Sequence, residues 1–152
     1  MIKVQREAFD VGRELQALKA GKHNIGGSVV FVGTVRDLSD GAQVSAMTLE
    51  HYPGMTEAAL EEIEAEARRR WPLDDALIIH RHGRLEPGDD IVLVITASAH
   101  REAAFAACHF LIDWLKTKAP FWKLEEDGHD TRWVEAKAGD DAAAARWEKQ
   151  EP

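Results

Sequence analysis

The sequence predicts an α+β fold, a layer of mostly antiparallel strands with helices packed on it. Three observations carry this. Strand-like runs come in neighbouring pairs, Gly26–Val35 with Val44–His51 and Ala76–His82 with Asp90–Ala97. Helical spacings separate the pairs instead of alternating with single strands, which argues against a doubly wound parallel fold. The 152 residues, 45% of them hydrophobic, suffice for one core, and no repeat or Pro/Gly/Ser linker divides them. A single domain over 1–152 is expected, with its last few residues disordered.

In chain order, Ile2–Glu7 reads as a short strand. Asp10 is placed to cap a helix with Val11, Leu15 and Leu18 on one face, ending at Gly21. Gly26–Val35, rich in valine, reads as a buried strand. Arg36–Gln43 is polar around Ser39-Asp40-Gly41 and reads as a loop or turn. Val44–His51 is a second strand, expected to pair with the first. Thr56 is expected to cap a helix in which Leu60, Ile63, Ala67 and Trp71 recur at helical spacing. Its other face carries Glu57, Glu61, Glu62, Glu64, Arg68 and Arg69, and Pro72 ends it. The strands Ala76–His82 and Asp90–Ala97 flank the turn Glu86-Pro87-Gly88-Asp89. A helix is expected from Ser98 to about Lys118. It is apolar almost all round, so it is expected to be buried or to lie in an interface. Trp133–Ala136 reads as a last short strand, and Asp140 or Asp141 as the cap of a helix through Trp147.

Composition narrows the function. The 19 Lys+Arg against 27 Asp+Glu give a net charge of −8, which argues against non-specific binding to nucleic acid or an anionic membrane. An anionic substrate would need a local cluster of cations. No apolar run is long enough to span a bilayer, the first residues have no signal-peptide character, and the lone Cys108 excludes an internal disulfide. A cytoplasmic protein is the simple expectation.

The segment Leu115-Lys116-Thr117-Lys118-Ala119-Pro120-Phe121-Trp122-Lys123 carries the most chemical information. Pro120 must stop a helix arriving from Phe105–Leu115, and Phe121 and Trp122 turn the chain back toward a core. Lys116 and Lys123 thus flank a bend beside apolar surface. Desolvation or a neighbouring cation lets an ammonium become a base or nucleophile, and a charged lysine can hold an anion. His100 and Arg101 open the long helix, where backbone N–H groups and a guanidinium attract anions; a merely solvated His-Arg pair is the alternative. Lys116 lies sixteen residues beyond His100, roughly 24 Å along one helix, so the two cannot share a ligand in one straight helix. Either they serve different sites, or two copies of the chain bring His100-Arg101 of one beside Lys116 of the other; the second is preferred here.

Arg36, at a strand end beside a loop, is a further binding candidate, although surface arginines are common. His51-Tyr52-Pro53-Gly54-Met55 reads first as a rigid turn. His80 and His82 share one strand face, but no third metal ligand accompanies them. Cys108 reads as a buried structural thiol. Neither a cofactor nor a metal is expected.

These motifs coincide with a known family. Phe31–Arg36, Leu49–Thr56, Arg70–Leu73, His80–Gly83, Pro87–Asp89, Ala97–Arg101, Leu115–Lys123 and Trp133–Ala136 follow one another as in the MoaE family, the large catalytic subunits of molybdopterin synthase. The most specific are His51-Tyr52-Pro53-Gly54-Met55 and the Lys-Thr-x-Ala-Pro-Phe-Trp-Lys segment ending at Lys123. The chain resembles this family over about Gly27 to Trp147. The resemblance implies an α/β hammerhead-like layer with a small added antiparallel sheet. It implies sulfur transfer to cyclic pyranopterin monophosphate, making the molybdopterin dithiolene. The sulfur donor would be the C-terminal Gly-Gly thiocarboxylate of a small ubiquitin-like subunit. The assembly would be a heterotetramer around a homodimer of large subunits. By matching motif, Lys116 and Lys123 would be catalytic, with Arg36, His100, Arg101 and Lys137 binding substrate. Lys137 stands where an arginine is expected, so a point charge replaces a bidentate fork. Two rivals are a non-catalytic module that docks a ubiquitin-like tail, and an enzyme acting on another phosphorylated metabolite.

Overall fold

The computed structural model describes residues 1–39, 42–43, 45–126, 131–134 and 138–148. The sequence-predicted disordered tail, 149–152, and Lys137 lie outside the described residues. In chain order the elements are β1 (Ile2–Gln5), α1 (Val11–Lys19), β2 (Gly27–Thr34), β3 (Leu38–Ser39), β4 (Ala42–Gln43), β5 (Ala46–His51) and α2 (Met55–Arg70). They continue with β6 (Asp75–Arg81), β7 (Gly83–Leu85), β8 (Asp90–Ser98), α3 (Arg101–Lys118), β9 (Phe121–Glu126), β10 (Thr131–Val134) and α4 (Ala138–Glu148). The expected α+β class holds: one four-stranded sheet runs β1-β6-β8-β2, a second runs β10-β9-β5-β7, and β3-β4 form a two-stranded ladder. Only the β1–β6 pairing is parallel among the described strands.

The first sheet is covered on both faces, and strand periodicity decides which residue goes where. Leu77, Ile79, Leu93 and Ile95 point to the α1 side with Leu18. Ile78, Val92 and Val94 point to the other side, against Leu60, Ile63 and Ala67 of α2 and Cys108, Phe110, Leu111 and Leu115 of α3. Cys108 is buried as expected, and burial pushes its thiol up to about 11. Trp147 brings α4 into the same core. Its indole N–H donates to buried Asp113 at 2.7 Å, and its carbonyl accepts from the buried Arg70 guanidinium at 2.7 Å. A third, smaller core of Val35, Met47, Leu49 and Leu85, with Ile91 and Phe121 against it, joins the second sheet to the first.

Several expectations are corrected. β5 does not pair with β2; it lies between β7 and β9 in the second sheet, while β2 pairs with β8. β2 is therefore an edge strand, and in the single chain it is half-buried, with Phe31 exposed. Thr56 is not the cap of α2. Gly54 holds that position at φ +86°, where a side chain would be strained, and its N–H donates to the Glu57 carboxylate at 2.6 Å. The buried Thr56 hydroxyl instead accepts from Tyr52 N–H at 3.0 Å. Ser98 ends β8 and its hydroxyl donates to the Pro72 carbonyl, so α3 begins three residues later with His100 as its N-cap. Phe121–Glu126, read from sequence only as a return to the core, is a full strand. The Arg36–Gln43 loop contains the short β3–β4 ladder.

Candidate functional site

The Lys116–Lys123 segment is built as a helix end, a bend and a strand. Lys116 lies in the last turn of α3, and Ala119 caps the helix in extended backbone. Pro120 has no N–H, and its carbonyl accepts from the Thr56 hydroxyl at 3.5 Å, which ties the bend to the start of α2. β9 then begins at Phe121 opposite His51, and Lys123 sits opposite Leu49 on one side and Val134 on the other. The ammonium-bearing side chains of Lys116 and Lys123 are both exposed. The shielding from water expected of this segment is therefore not supplied at these two positions by the single chain. The Lys116 ammonium has no hydrogen bond or ion pair among the described residues. Lys118, by contrast, turns away: its ammonium lies 4.5 Å from the Trp114 ring centroid and 3.4 Å from Glu148.

Arg36 lies two residues past the end of β2 and is exposed. It lines a shallow hollow of about 550 Å³ with Val35, Asp37, Pro87 and Gly88. Val35 belongs to the same small core as Leu49, and Leu49 is the cross-strand partner of Lys123. The fold thus brings Arg36 and Lys123 to the rim of one cluster. A second hollow of about 570 Å³ lies between α2, α3 and α4. It is a poor anion site, because its Arg69 and Arg70 pair with Glu66 and its Lys118 with Glu148. Glu66 is held down to about 2 by hydrogen bonds from those two guanidinium groups.

His100 and Arg101 are exposed at the opposite end of α3. Gly26 permits this placement: a Cβ there would lie 2.0 Å from the Ala99 carbonyl oxygen. Arg101 and Lys116 are separated by about 22 Å of helix. Along β2, the end beside Arg101 and the end beside Arg36 are roughly 23 Å apart. Within one chain the sequence-predicted cations therefore fall into two groups, Arg36 with the Lys116–Lys123 segment at one end and His100-Arg101 at the other.

Sequence reasoning missed a cluster beside Lys123. His51, His80 and His82 come from β5, β6 and the link after β6. The His51 and His82 rings are 4.3 Å apart, and His80 is stacked on Phe121 at 3.8 Å and 18°. His80 is buried, and burial pulls it down to about 4, helped by the nearby Lys123 charge. His82 is also lowered, first by burial and then by the charge of His51. The local signals were the strand-face pair His80 and His82 and a histidine, His51, at the end of another predicted strand; nothing local joined the two.

The family model described as "MoaE protein" matches residues 4–118. The chain belongs to the MoaE family. A MoaE relative from Pseudomonas aeruginosa, named molybdopterin synthase catalytic subunit, is 60% identical over 148 residues, covering 97% of this chain and 99% of that protein. The solved molybdopterin biosynthesis MoaE protein from Burkholderia ambifaria superposes with a TM-score of 0.84 at 55% identity, covering 99% of each chain. Molybdopterin synthase from Staphylococcus aureus gives 0.81 at 28% identity, covering 88% of this chain and 96% of that one. The MoaE fold explains the two-sheet arrangement. No helix among the described residues is long and apolar enough to cross a membrane.

Proposed function

We propose that this chain is the catalytic subunit of a cytoplasmic molybdopterin synthase. It transfers sulfur from the C-terminal thiocarboxylate of a small ubiquitin-like carrier to cyclic pyranopterin monophosphate, building the dithiolene. The observation that carries this reading is the near-full-length likeness to the Pseudomonas catalytic subunit. The position of Arg36 and Lys123 around one small core supports it.

In this reading Arg36 holds the phosphate and pterin together with His100, Arg101 and Lys137, with His100 and Arg101 supplied by a second copy of the chain. Lys116 lies beside the incoming carrier tail. It assists attack by the thiocarboxylate sulfur and the later hydrolysis that releases the tail as a carboxylate. Lys123 stabilises the negative charge that develops, or donates a proton. The small carrier and the second copy supply the shielding from water that the single chain lacks at both lysines. Proton transfer by a positioned group contributes on the order of 10²–10⁴-fold. Lys116→Ala is expected to lose turnover on that order while keeping fold and dimer; near-wild-type sulfur transfer by that variant refutes its role.

The deciding experiment mixes the chain with a thiocarboxylated small subunit and cyclic pyranopterin monophosphate and looks for dithiolene product. Binding of the carrier without product favours the docking module. Turnover of another phosphorylated metabolite without any carrier favours the second rival.

A further inference from the structure

His80 occupies a position that packing alone does not explain. Ile78, two residues back on the same face of β6, fills its site with plain hydrocarbon, and an imidazole is costlier to bury. The His80 Nδ1 lies 2.8 Å from the Arg81 carbonyl oxygen. A carbonyl only accepts, so Nδ1 carries the proton and donates, which fixes the ring in one orientation. That ring lies flat on Phe121, the first residue of β9. Phe121 is held a second time by its pairing with His51, whose ring centroid is 6.3 Å away.

Phe121 and Lys123 are two apart on one strand, so they share a face. The Lys123 charge disfavours protonation of His80, which places the ammonium within electrostatic reach of the imidazole. The stack on Phe121 also sits one residue past the Pro120 bend. It therefore sets the angle at which β9 leaves the end of α3, and with it the position of Lys123.

We propose that His80 is a positioning residue for Lys123, acting through the ring of Phe121. This rests on the reading that Lys123 meets the reacting atoms. A misplacement near 1 Å can cost up to about 10²-fold, so His80→Ala is expected to lower kcat by about ten-fold or more. KM for the pterin substrate should stay within about two-fold, since the loss falls on the transition state. His80→Phe keeps a ring on Phe121 but loses the Nδ1 bond that orients it, so it should recover only part of kcat.

The test measures dithiolene formation by the dimer with its thiocarboxylated carrier, for His80→Ala alone and in a Lys123→Ala background. A residue acting through Lys123 has nothing further to lose there, so the second His80→Ala change should alter residual turnover by less than about two-fold. Equal losses in both backgrounds, or no loss from His80→Ala in the otherwise native chain, overturn the proposal. Phe121→Leu removes the stack from the other side and must show the same dependence on Lys123; it decides the matter if His80→Ala does not fold. Full turnover by Lys123→Ala alone refutes the catalytic reading of that lysine. A dead Lys123→Ala beside an unaffected His80→Ala refutes only the positioning role.

Discussion

At the scale of single residues, His80 couples the fold to pH. Its unfolded imidazole titrates near 6.5, while burial in the folded chain lowers it to about 4. Between those values the unfolded chain binds the proton and the folded chain does not. Stability is therefore complete above about pH 6.5, falls as the pH drops, and has lost this contribution by about pH 4. The difference corresponds to roughly 3 kcal/mol at most. Chemical denaturation at pH 7 and pH 4.5 should show a clear loss for the native chain and a smaller one for His80→Phe. Equal losses in both would show that other groups dominate acid sensitivity. Sequence alone identified His80 as a residue of a strand face but gave no hint of its ring partner. That partner, Phe121, lies 41 residues away, and only the folded chain brings the two together.

At the scale of elements, local pattern located most helices and strands and failed where pairing is non-local. Asp10 caps α1 as expected, its carboxylate accepting from the Arg13 N–H at 3.0 Å, because a cap is a contact across three residues. Sequence order favours pairing of β5 with β2, because neighbouring strands usually pair. Its true partners, β7 and β9, follow it in the chain, and no local periodicity encodes that choice. β9 is hidden because three of its six residues, Lys123, Glu125 and Glu126, are charged and Pro120 stands just before it. The start of α3 offers a test at this scale. Gly26→Ala would place a methyl group on the Ala99 carbonyl, so backbone must shift. A loss of about 1–3 kcal/mol is expected on chemical denaturation. An unchanged melting curve would show that this contact relaxes freely.

At the scale of the whole molecule, the cations sort into two groups more than 20 Å apart on one chain, by helix and strand rise. The separation of His100 from Lys116 was legible in the sequence, because helix rise alone fixes it. That the neighbours of Arg36 and Lys123 flank one small core was not, since it depends on Val35 and Leu49 packing together across two sheets. If a working site combines both ends from two copies, defects in separate groups complement. Lys116→Ala and Arg101→Ala chains, each inactive alone, should regain about a quarter of native activity when their dimers are mixed and re-formed. Half of the dimers are then mixed and each holds one intact site. Persistent inactivity of the mixture would place all the groups within one chain.

The chain's only thiol, on Cys108, is sealed between α3 and the first sheet. With its ionisation pushed up to about 11, only about one molecule in ten thousand carries the thiolate at neutral pH. Maleimide dyes should therefore ignore the native protein. A cysteine introduced at the exposed Phe105 position would be its sole labelling point. Fluorescence from a dye there would then report directly on the approach of another chain to the outer face of α3, without first stripping the protein of native sulfur.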